Sequence, residues 1–298
     1  MIEQRAIRRL ARLFGFEVHL TPFMSSKEMW NLPLYDRVYG NDAVRERRFY
    51  NIGAGAFFHP AWTNVDHKSD YYARFDGYSK GGMEYDLMAL APIALPDNSA
   101  ELFYSSHTVE HVSDAAVQNL FNEAHRILKN GGVFRVTTPN IDLALRAFIE
   151  NDRNYFYWAD DFSEPGLYQK LPYDRPLNQA SMEQIFLTHF ATSTSIIHLD
   201  GSPDRFSDEK VRELFSTMTP EAALDFITSK CSPEVQNKYP GNHINWWNKD
   251  KMFRMFSAAG FSDIRLSGYG QSISPVLRDT NYFDLRHPAM SLYVEARK

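Results

Sequence analysis

Three absences narrow what this 298-residue chain can be. It has one cysteine, Cys231, so no internal disulfide is possible, and it has no cysteine cluster of the kind that binds zinc. No apolar run is long enough to span a bilayer, so stable membrane insertion is not expected. The formal net charge of −5 shows no basic excess, which argues against a nucleic-acid partner. The arginine-rich start lacks the apolar core of a secretory signal, and a cytoplasmic location is predicted.

What is present is a regular alternation of strand and helix patterns. Strands are predicted at 48–52, 63–66, 84–87, 100–104, 133–138, 262–267 and 290–296. A helix capped by Ser113 follows the fourth strand and is predicted to end at Gly131 and Gly132, and a second helix is predicted over 249–259. This series indicates an α/β fold with a doubly wound, mostly parallel sheet and helices on both faces.

The pattern of predicted strands and helices divides the chain into three regions. Residues 1–47 form a predicted N-terminal helical extension, with a helix over 2–14 and the breakers Pro22, Pro33 and Gly40. Residues 48–139 and 246–298 form the core. Residues 140–245 are an insertion rich in aromatic residues, with helices predicted near 181–191, 207–217 and 220–229. An insertion at the strand ends suits a lid or substrate region.

The chemistry is predicted to centre on a glycine turn after the first strand. Gly53 and Gly55 form G-x-G, but Phe58 stands where a dinucleotide-binding turn has its third glycine. That departure argues against a nicotinamide dehydrogenase, whose cofactor contains a pyrophosphate. It is compatible with a cofactor that has no pyrophosphate. Asp66, at the end of the second strand, is able to accept hydrogen bonds from ribose hydroxyls, or to act as a turn or cap residue. Asp86 either faces an adenine or is an exposed turn carboxylate.

Several segments together resemble one family. They are NIGAG, TNVDH, YDLMALAPIALPDNSAELFYSSHTVEHV, LFNEAHRILKNGGVFRVTTPN and MFRMFSAAGF. As a set they resemble the class I S-adenosylmethionine-dependent methyltransferases, and within these the small bacterial methyltransferase-11-like group. The resemblance covers about 48–140 and 249–298. Asn130 departs from the proline that the family often has. The resemblance implies seven strands in a Rossmann-like sheet, the last one antiparallel, and S-adenosyl-L-methionine as cofactor.

The resemblance also assigns the cofactor site to the ends of four strands. The implied residues are Gly53, Ala54 and Gly55 under the methionine, Asp66 and His67 at the ribose, Asp86 and Leu87 at the adenine, and Ser105, Ser106 and His107 at the methyl-transfer end.

The reaction implied by this cofactor is methyl transfer to oxygen or nitrogen of a small-molecule or sugar-containing acceptor. Such transfer needs an aligned nucleophile and, for a hydroxyl or amine, a base. His107, His111 and His243 are the candidate catalytic residues, with Glu110 close by in the sequence. For His111 and His243 an ordinary packing role is the alternative.

Two other functions compete with methyl transfer. The segment His107-Thr-Val-Glu-His111 matches H-x-x-E-H, in which both histidines bind zinc and the glutamate activates water. Its position after an apolar strand, inside a cofactor-binding frame, argues against that interpretation, and no metal is predicted. A non-catalytic binding protein with a methyltransferase fold is the second alternative. The retained Gly53, Gly55, Asp66 and Asp86 argue against it.

Overall fold

The computed structural model describes residues 30–68, 82–164 and 170–298. Within these ranges one sheet contains β1 (Phe49–Ile52), β2 (Trp62–Asp66), β3 (Met83–Glu84), β4 (Ala100–Ser106), β5 (Leu128–Pro139), β6 (Asp263–Leu266) and β7 (Ser291–Arg297). The strand order is β3-β2-β1-β4-β5-β7-β6. β1 to β5 pair in parallel, and β7 is antiparallel to β5 and β6. The predicted doubly wound sheet with an antiparallel last strand is confirmed.

The helices lie around this sheet and in the segment between β5 and β6. They are α1 (Leu32–Tyr39), α2 (Asn41–Arg45), α3 (Asp114–Ile127), α4 (Ile141–Ile149), α5 (Trp158–Asp161), α6 (Met182–Phe190), α7 (Asp208–Thr217), α8 (Pro220–Thr228), α9 (Pro233–Lys238) and α10 (Lys249–Ala258). Single 3₁₀ turns occupy Leu87–Ala89, Val109–His111, Arg153–Phe156, Leu177–Gln179, Thr192–Thr194 and Pro275–Arg278. No helix in the described ranges is long and apolar enough to cross a membrane. The predicted helix over 2–14 lies outside the described residues.

Alternation along the strands produces two separate core layers, one on each face of the sheet. On one face α3 and α10 pack together, with the rings of Phe121 and Phe256 stacked at 3.9 Å between centroids. On the other face Phe49 and Trp62 pack with α1, and the Trp62 indole N–H donates to the Tyr35 hydroxyl at 2.8 Å. Residues of the β6–β7 connection complete this second layer.

The segment between β5 and α10 builds a third hydrophobic cluster of its own. All nine residues of α6 are buried, and its apolar side chains belong to this cluster. The chain returns to the sheet along residues 242–247, where the Ile244 amide donates to the Glu110 carbonyl at 2.9 Å and the Ile141 amide to the Trp247 carbonyl at 2.9 Å. The return segment therefore packs directly on the residues that follow β4.

Three local predictions need correction. α3 ends at Ile127 rather than at Gly131 and Gly132, because its last carbonyls accept hydrogen bonds from the amides of Asn98 and Ser99 and β5 then begins. β3 covers Met83–Glu84 rather than 84–87. Pro33, predicted as a breaker, lies in the first turn of α1, where its missing N–H leaves no backbone bond unmade.

Candidate functional site

The glycine turn lies at the switch point of the sheet, where the chain leaves β1 towards β2 and later returns to form β4 on the other side of β1. Gly53 and Gly55 both have left-handed backbones, with φ of +64° and +52°. The Gly53 amide donates to the Val65 carbonyl at 2.9 Å. A Cβ on Gly53 would lie 2.3 Å from the Thr108 side chain, so only glycine fits there. The turn therefore contacts both β2 and the segment after β4, and the buried Ala54 lies at its centre.

Asp66 ends β2 with its carboxylate against the turn. One oxygen accepts the Gly55 amide at 2.7 Å and the other accepts the His67 amide at 2.8 Å. The His67 ring is exposed and lies 3.3 Å from Glu84. These bonds orient the carboxylate at the strand tip, as the predicted ribose contact requires. They also agree with the alternative prediction for Asp66, a residue that stabilises the turn. The ribose role of Asp66 and His67 stays a prediction.

Asp86 and Leu87 follow β3. The Asp86 carboxylate accepts the Met88 amide at 2.8 Å and thereby caps the 3₁₀ turn Leu87–Ala89, while Leu87 is buried. The short β3 ends two residues before Asp86, so this carboxylate belongs to a loop rather than to a strand tip. The predicted adenine contacts are untested by this geometry.

The end of β4 ties the neighbouring strands together. The buried Ser105 hydroxyl donates to the Ile52 carbonyl at 3.1 Å, at the end of β1. The Ser106 hydroxyl accepts from Thr137 in β5 at 2.9 Å. His107 then takes a left-handed backbone with φ of +51°, a conformation uncommon outside glycine. This turn directs the chain away from the sheet and into the H-x-x-E-H segment.

Glu110 is the centre of a group of histidines beyond β4. Its Oε2 accepts from the Thr138 hydroxyl at 3.0 Å, whereas Oε1 is buried without a hydrogen-bond partner in the described part of the chain. The His107 Nδ1 lies 3.2 Å from that oxygen. Burial raises the pKa of Glu110, but the nearby His107, followed by His111 and His243, outweighs burial and holds it below its usual range. Glu110 is therefore a buried carboxylate that stays ionised.

His111 and His243 meet beside Glu110, with ring centroids 4.7 Å apart. The Nδ1 of His111 lies 3.0 Å from the Asn242 carbonyl, and the Nδ1 of His243 lies 2.6 Å from the His189 carbonyl. Because a carbonyl only accepts, each Nδ1 carries a proton, and in the neutral form of either ring the lone pair is on Nε2. Burial, with His111 alongside, lowers the pKa of His243 to about 4, so this imidazole is neutral at pH 7.

His107 differs from these two because both its ring nitrogens have neighbours. Its Nε2 lies 2.8 Å from the Ser291 hydroxyl. Ser291, His107 and Glu110 therefore follow one another in space like the nucleophile, base and carboxylate of a catalytic triad. The Ser291 hydroxyl, however, donates to the His287 carbonyl at 2.9 Å, so His107 donates to Ser291 rather than accepting from it. This arrangement does not activate a serine nucleophile.

The H-x-x-E-H motif does not form the helical face that its spacing indicated. Only Val109–His111 is helical, as one 3₁₀ turn, and His107 precedes it with the left-handed backbone. The three residues that do come together are Glu110, His111 and His243, whose potential ligand atoms all lie within 4.8 Å of one another. His243 was predicted as a catalytic candidate on separate grounds, and its meeting with this motif was not foreseen.

Two further histidines complete what we call the histidine cluster: His107, His111, His189, His243 and His287 around Glu110. His189 is buried on α6 with Nε2 unpartnered in the described residues, and burial lowers its pKa to about 3. The His287 ring lies 5.8 Å from that of His107 and its Nδ1 lies 3.1 Å from the Tyr157 hydroxyl. The sequence pattern did not predict either histidine, since neither belongs to a local motif.

Comparison with known families and structures places these observations in context. Residues 62–136 match the family model described as "Methyltransferase domain". The match runs from β2 into β5, so it includes Asp66 and the H-x-x-E-H motif but neither the glycine turn nor His243. A search of the curated proteins found no match.

Several solved structures are similar to this chain. One is an S-adenosylmethionine-dependent methyltransferase from Mesorhizobium loti, with 16% identity over 84% of this chain and 90% of that one and a TM-score of 0.37. Another, from Archaeoglobus fulgidus, has 13% identity over 92% and 95%, with a TM-score of 0.36. A possible histamine N-methyltransferase from Thermotoga maritima has 12% identity over 91% and 94%, with a TM-score of 0.37.

Proposed function

We propose that this chain, which carries a class I S-adenosylmethionine-dependent methyltransferase domain, transfers the methyl group to oxygen or nitrogen of a polar small-molecule or sugar-containing acceptor. One observation carries the proposal. The glycine turn, the Asp66 carboxylate and the histidine-lined end of β4 meet at one edge of the sheet. Ligands of open α/β sheets bind at that edge. A cytoplasmic location stays a prediction.

The residues at this edge fit the cofactor. Gly53 and Gly55 present backbone without side chains, and Asp66 holds a carboxylate beside them. In this proposal they lie against the methionine and ribose parts, with Ala54, His67, Asp86, Leu87, Ser105, Ser106 and His107 around them. When bound there, S-adenosylmethionine supplies a methyl group that its sulfonium makes electrophilic. The chain holds the acceptor in line with that carbon.

The histidine cluster supports a polar acceptor. Transfer to a hydroxyl or amine releases a proton, and His107, His111 and His243 are the proposed catalytic residues beside the ionised Glu110. The Tyr155 hydroxyl, the Trp158 indole N–H and the His189 Nε2 are also buried without partners among the described residues. Each such group costs about 1–3 kcal/mol unless something satisfies it, which favours a polar ligand.

The segment 140–245 is proposed to cover this site and to select the acceptor. Its return segment packs on residues 110–112, and α6 contributes His189 to the cluster. In this proposal residues 48–139 and 246–298 bind the cofactor while 140–245 shapes the acceptor side. For residues 30–47 we propose a packing role, which is supported by the burial of Tyr35 against β1 and β2.

Calorimetry with S-adenosylhomocysteine tests the cofactor site directly. We expect micromolar binding by the wild-type protein and binding weaker by about 10- to 100-fold in Asp66→Asn, because charge-assisted hydrogen bonds of about 1.5–3 kcal/mol are lost. Asp42→Asn, an exposed carboxylate on α2, is the matched control and is expected to bind normally. No binding by the wild type would favour the non-catalytic alternative. Release of S-adenosylhomocysteine against a panel of metabolites then identifies the acceptor.

A further inference from the structure

Glu110, His111 and His243 have the composition of a transition-metal site. One carboxylate oxygen and one ring nitrogen from each histidine lie within 4.8 Å of one another. Two imidazoles and a carboxylate suit zinc and the other divalent first-row metals, whereas magnesium and calcium prefer oxygen ligands. Unlike an exposed acidic patch, this group contains a glutamate that is 1% exposed and two half-buried histidines.

The hydrogen bonds outside the group orient both histidines for metal binding. Metal-binding histidines almost always donate their second ring N–H to a carbonyl or carboxylate, which fixes the tautomer and ring orientation. His111 donates from Nδ1 to the Asn242 carbonyl and His243 from Nδ1 to the His189 carbonyl. The Nε2 lone pairs are therefore the ones available to a ligand. Two neighbouring histidines share this arrangement.

The carboxylate is supported in the same way. Thr138 donates to Oε2 of Glu110 at 3.0 Å, which orients the group and leaves Oε1 on the other side. Oε1 is buried and makes no hydrogen bond with any described residue. The nearest polar atom, Nδ1 of His107, lies 3.2 Å away. A carboxylate oxygen has two lone pairs, so the contact with His107 leaves Oε1 able to bind a further partner, and this is a second observation that points to a ligand.

We propose that Glu110 Oε1, His111 Nε2 and His243 Nε2 bind one divalent first-row transition metal, with zinc as the probe. Ligand atoms about 2.1 Å from a tetrahedral zinc lie about 3.4 Å apart. Each of the three residues already has one potential ligand atom within 4.8 Å of the others, so metal binding requires only a small approach of the side chains. Three protein ligands leave the fourth position open, as in catalytic rather than structural zinc sites. This set is not the one that the H-x-x-E-H motif specifies, because His243 takes the place of His107 and Glu110 is a ligand rather than the group that activates water.

The role of the metal rests on the proposed function, whereas its binding does not. The open position lies at the acceptor side of the site, where an oxygen of the acceptor is the expected fourth ligand. In that case His111 and His243 act through the metal rather than as proton acceptors. The site also needs both parts of the chain, since Glu110 and His111 follow β4 and His243 comes from the return segment.

The first experiment uses the wild-type protein alone. Metal is removed with a chelator and by dialysis, and ZnCl₂ is then titrated by calorimetry. We expect one zinc per chain, bound at micromolar affinity or tighter. Cobalt(II) substitution should give visible absorption of the intensity typical of four-coordinate nitrogen and oxygen ligands. Zinc binding no stronger than millimolar, or a stoichiometry well below one, overturns the proposal.

Variants then locate the bound ion. His111→Ala, His243→Ala and Glu110→Gln are each expected to weaken zinc binding by more than about 100-fold. His125→Ala, on α3 and outside the cluster, is the matched control and should bind zinc like the wild type. Unchanged affinity in both histidine variants overturns the assignment. If the variants fold poorly by circular dichroism, anomalous diffraction at the zinc edge from soaked wild-type crystals decides, since the peak must lie beside these three residues.

Calorimetry with S-adenosylhomocysteine on the metal-free protein separates the two proposals. Cofactor binding without zinc binding overturns the metal site and leaves the methyltransferase proposal standing. Zinc binding without cofactor binding overturns the methyltransferase proposal and supports the metal site. Binding of both, with methyl transfer lost on chelation and restored by zinc, supports the metal site and its role at the acceptor.

Discussion

Two buried charged regions of this protein differ in how completely their polar atoms are satisfied. On one side of the sheet the fully buried Arg135 guanidinium faces both oxygens of Asp284, the Ser267 hydroxyl, the Gly268 carbonyl and Glu295. At the end of β4 the equally buried Glu110 has one oxygen bonded to Thr138 and one without a hydrogen bond in the described residues.

The difference separates a structural network from a candidate site. The Arg135 network anchors the β6–β7 connection to β5 and β7, and each charge in it has a partner. In the histidine cluster the Nδ1 atoms of His111 and His243 are hydrogen-bonded to backbone carbonyls. Oε1 of Glu110 and Nε2 of His189 make no hydrogen bond with any described residue, and such buried atoms lower stability. Folding alone does not explain why such a cost is kept, whereas binding of a ligand does. Predictions that remove charge or partners from each region test this distinction.

The largest effect is expected from Arg135→Met. This change leaves Asp284 and Glu295 buried without their cation, which typically costs about 3–5 kcal/mol. Urea unfolding followed by circular dichroism measures it. The control is Arg265→Met, which removes an arginine that is paired with Asp263 on the exposed face of β6 and should change stability little. A loss similar to the control would show that the network is not structural.

His59 is a buried histidine outside the histidine cluster, and both of its ring nitrogens have hydrogen-bond partners. It therefore shows what burial alone does to a histidine. Its Nε2 donates to the Trp30 carbonyl at 3.0 Å and its Nδ1 accepts the Ala61 amide at 3.2 Å. Burial lowers its pKa from 6.5 to about 4. Between these values the unfolded chain binds a proton that the folded chain does not, so stability falls as the pH drops from 6.5 to 4 and then levels off.

The linked free energy for His59 is on the order of 3 kcal/mol. His59→Gln should therefore lose less stability than the wild type between pH 7 and pH 4.5, measured by urea unfolding at each pH. Equal losses in the two proteins would mean that His59 is protonated in the folded state.

A pair of glycines tests the contact between the glycine turn and the segment after β4. Gly53 and Gly131 both have positive φ, but a Cβ meets Thr108 at 2.3 Å in the first and nothing within 4 Å in the second. Gly131→Ala is expected to cost about 1–2 kcal/mol from backbone strain alone. Gly53→Ala should cost roughly 1–3 kcal/mol more and weaken S-adenosylhomocysteine binding.

Thr108→Ala in the same chain should recover part of that extra cost, since two of the three close atoms disappear. Equal stability of the two single alanine variants would contradict the close approach at Gly53.

The smallest effect on stability is expected from Glu110→Gln, and it sharpens the comparison most. The amide keeps an acceptor for Thr138 but loses the charge that His107 favours, so the free energy of unfolding should fall by only about 1–2 kcal/mol while zinc binding and methyl transfer are lost. The matched control is Glu295→Gln, a glutamate of equal burial that accepts from Ser272 and Ile273 and faces Arg135. Glu295→Gln should be less stable than Glu110→Gln. If Glu110→Gln were the less stable of the two, the distinction between the two regions would be wrong.

Local pattern predicted the elements well because strands and helices depend on neighbouring residues. The helix predicted over 249–259 is α10, Lys249–Ala258, and the strand predicted over 262–267 is β6, Asp263–Leu266. Where the prediction missed, a tertiary contact decided the outcome. α3 ends early because Asn98 and Ser99 take its last carbonyls, and no local signal at Gly131 reports that competition.

The sequence by itself determined the sheet and the residues at its edge. Parallel strands end at a common edge, so Gly53, Asp66 and His107 had to approach one another once β1, β2 and β4 were recognised. Only the tertiary structure decided which residues join them there. His243 and His189 reach Glu110 because the segment 140–245 folds back on residues 110–112, through hydrogen bonds between positions more than 100 residues apart. Local spacing carries no information about such contacts, since they depend on how two separately packed parts of the chain meet.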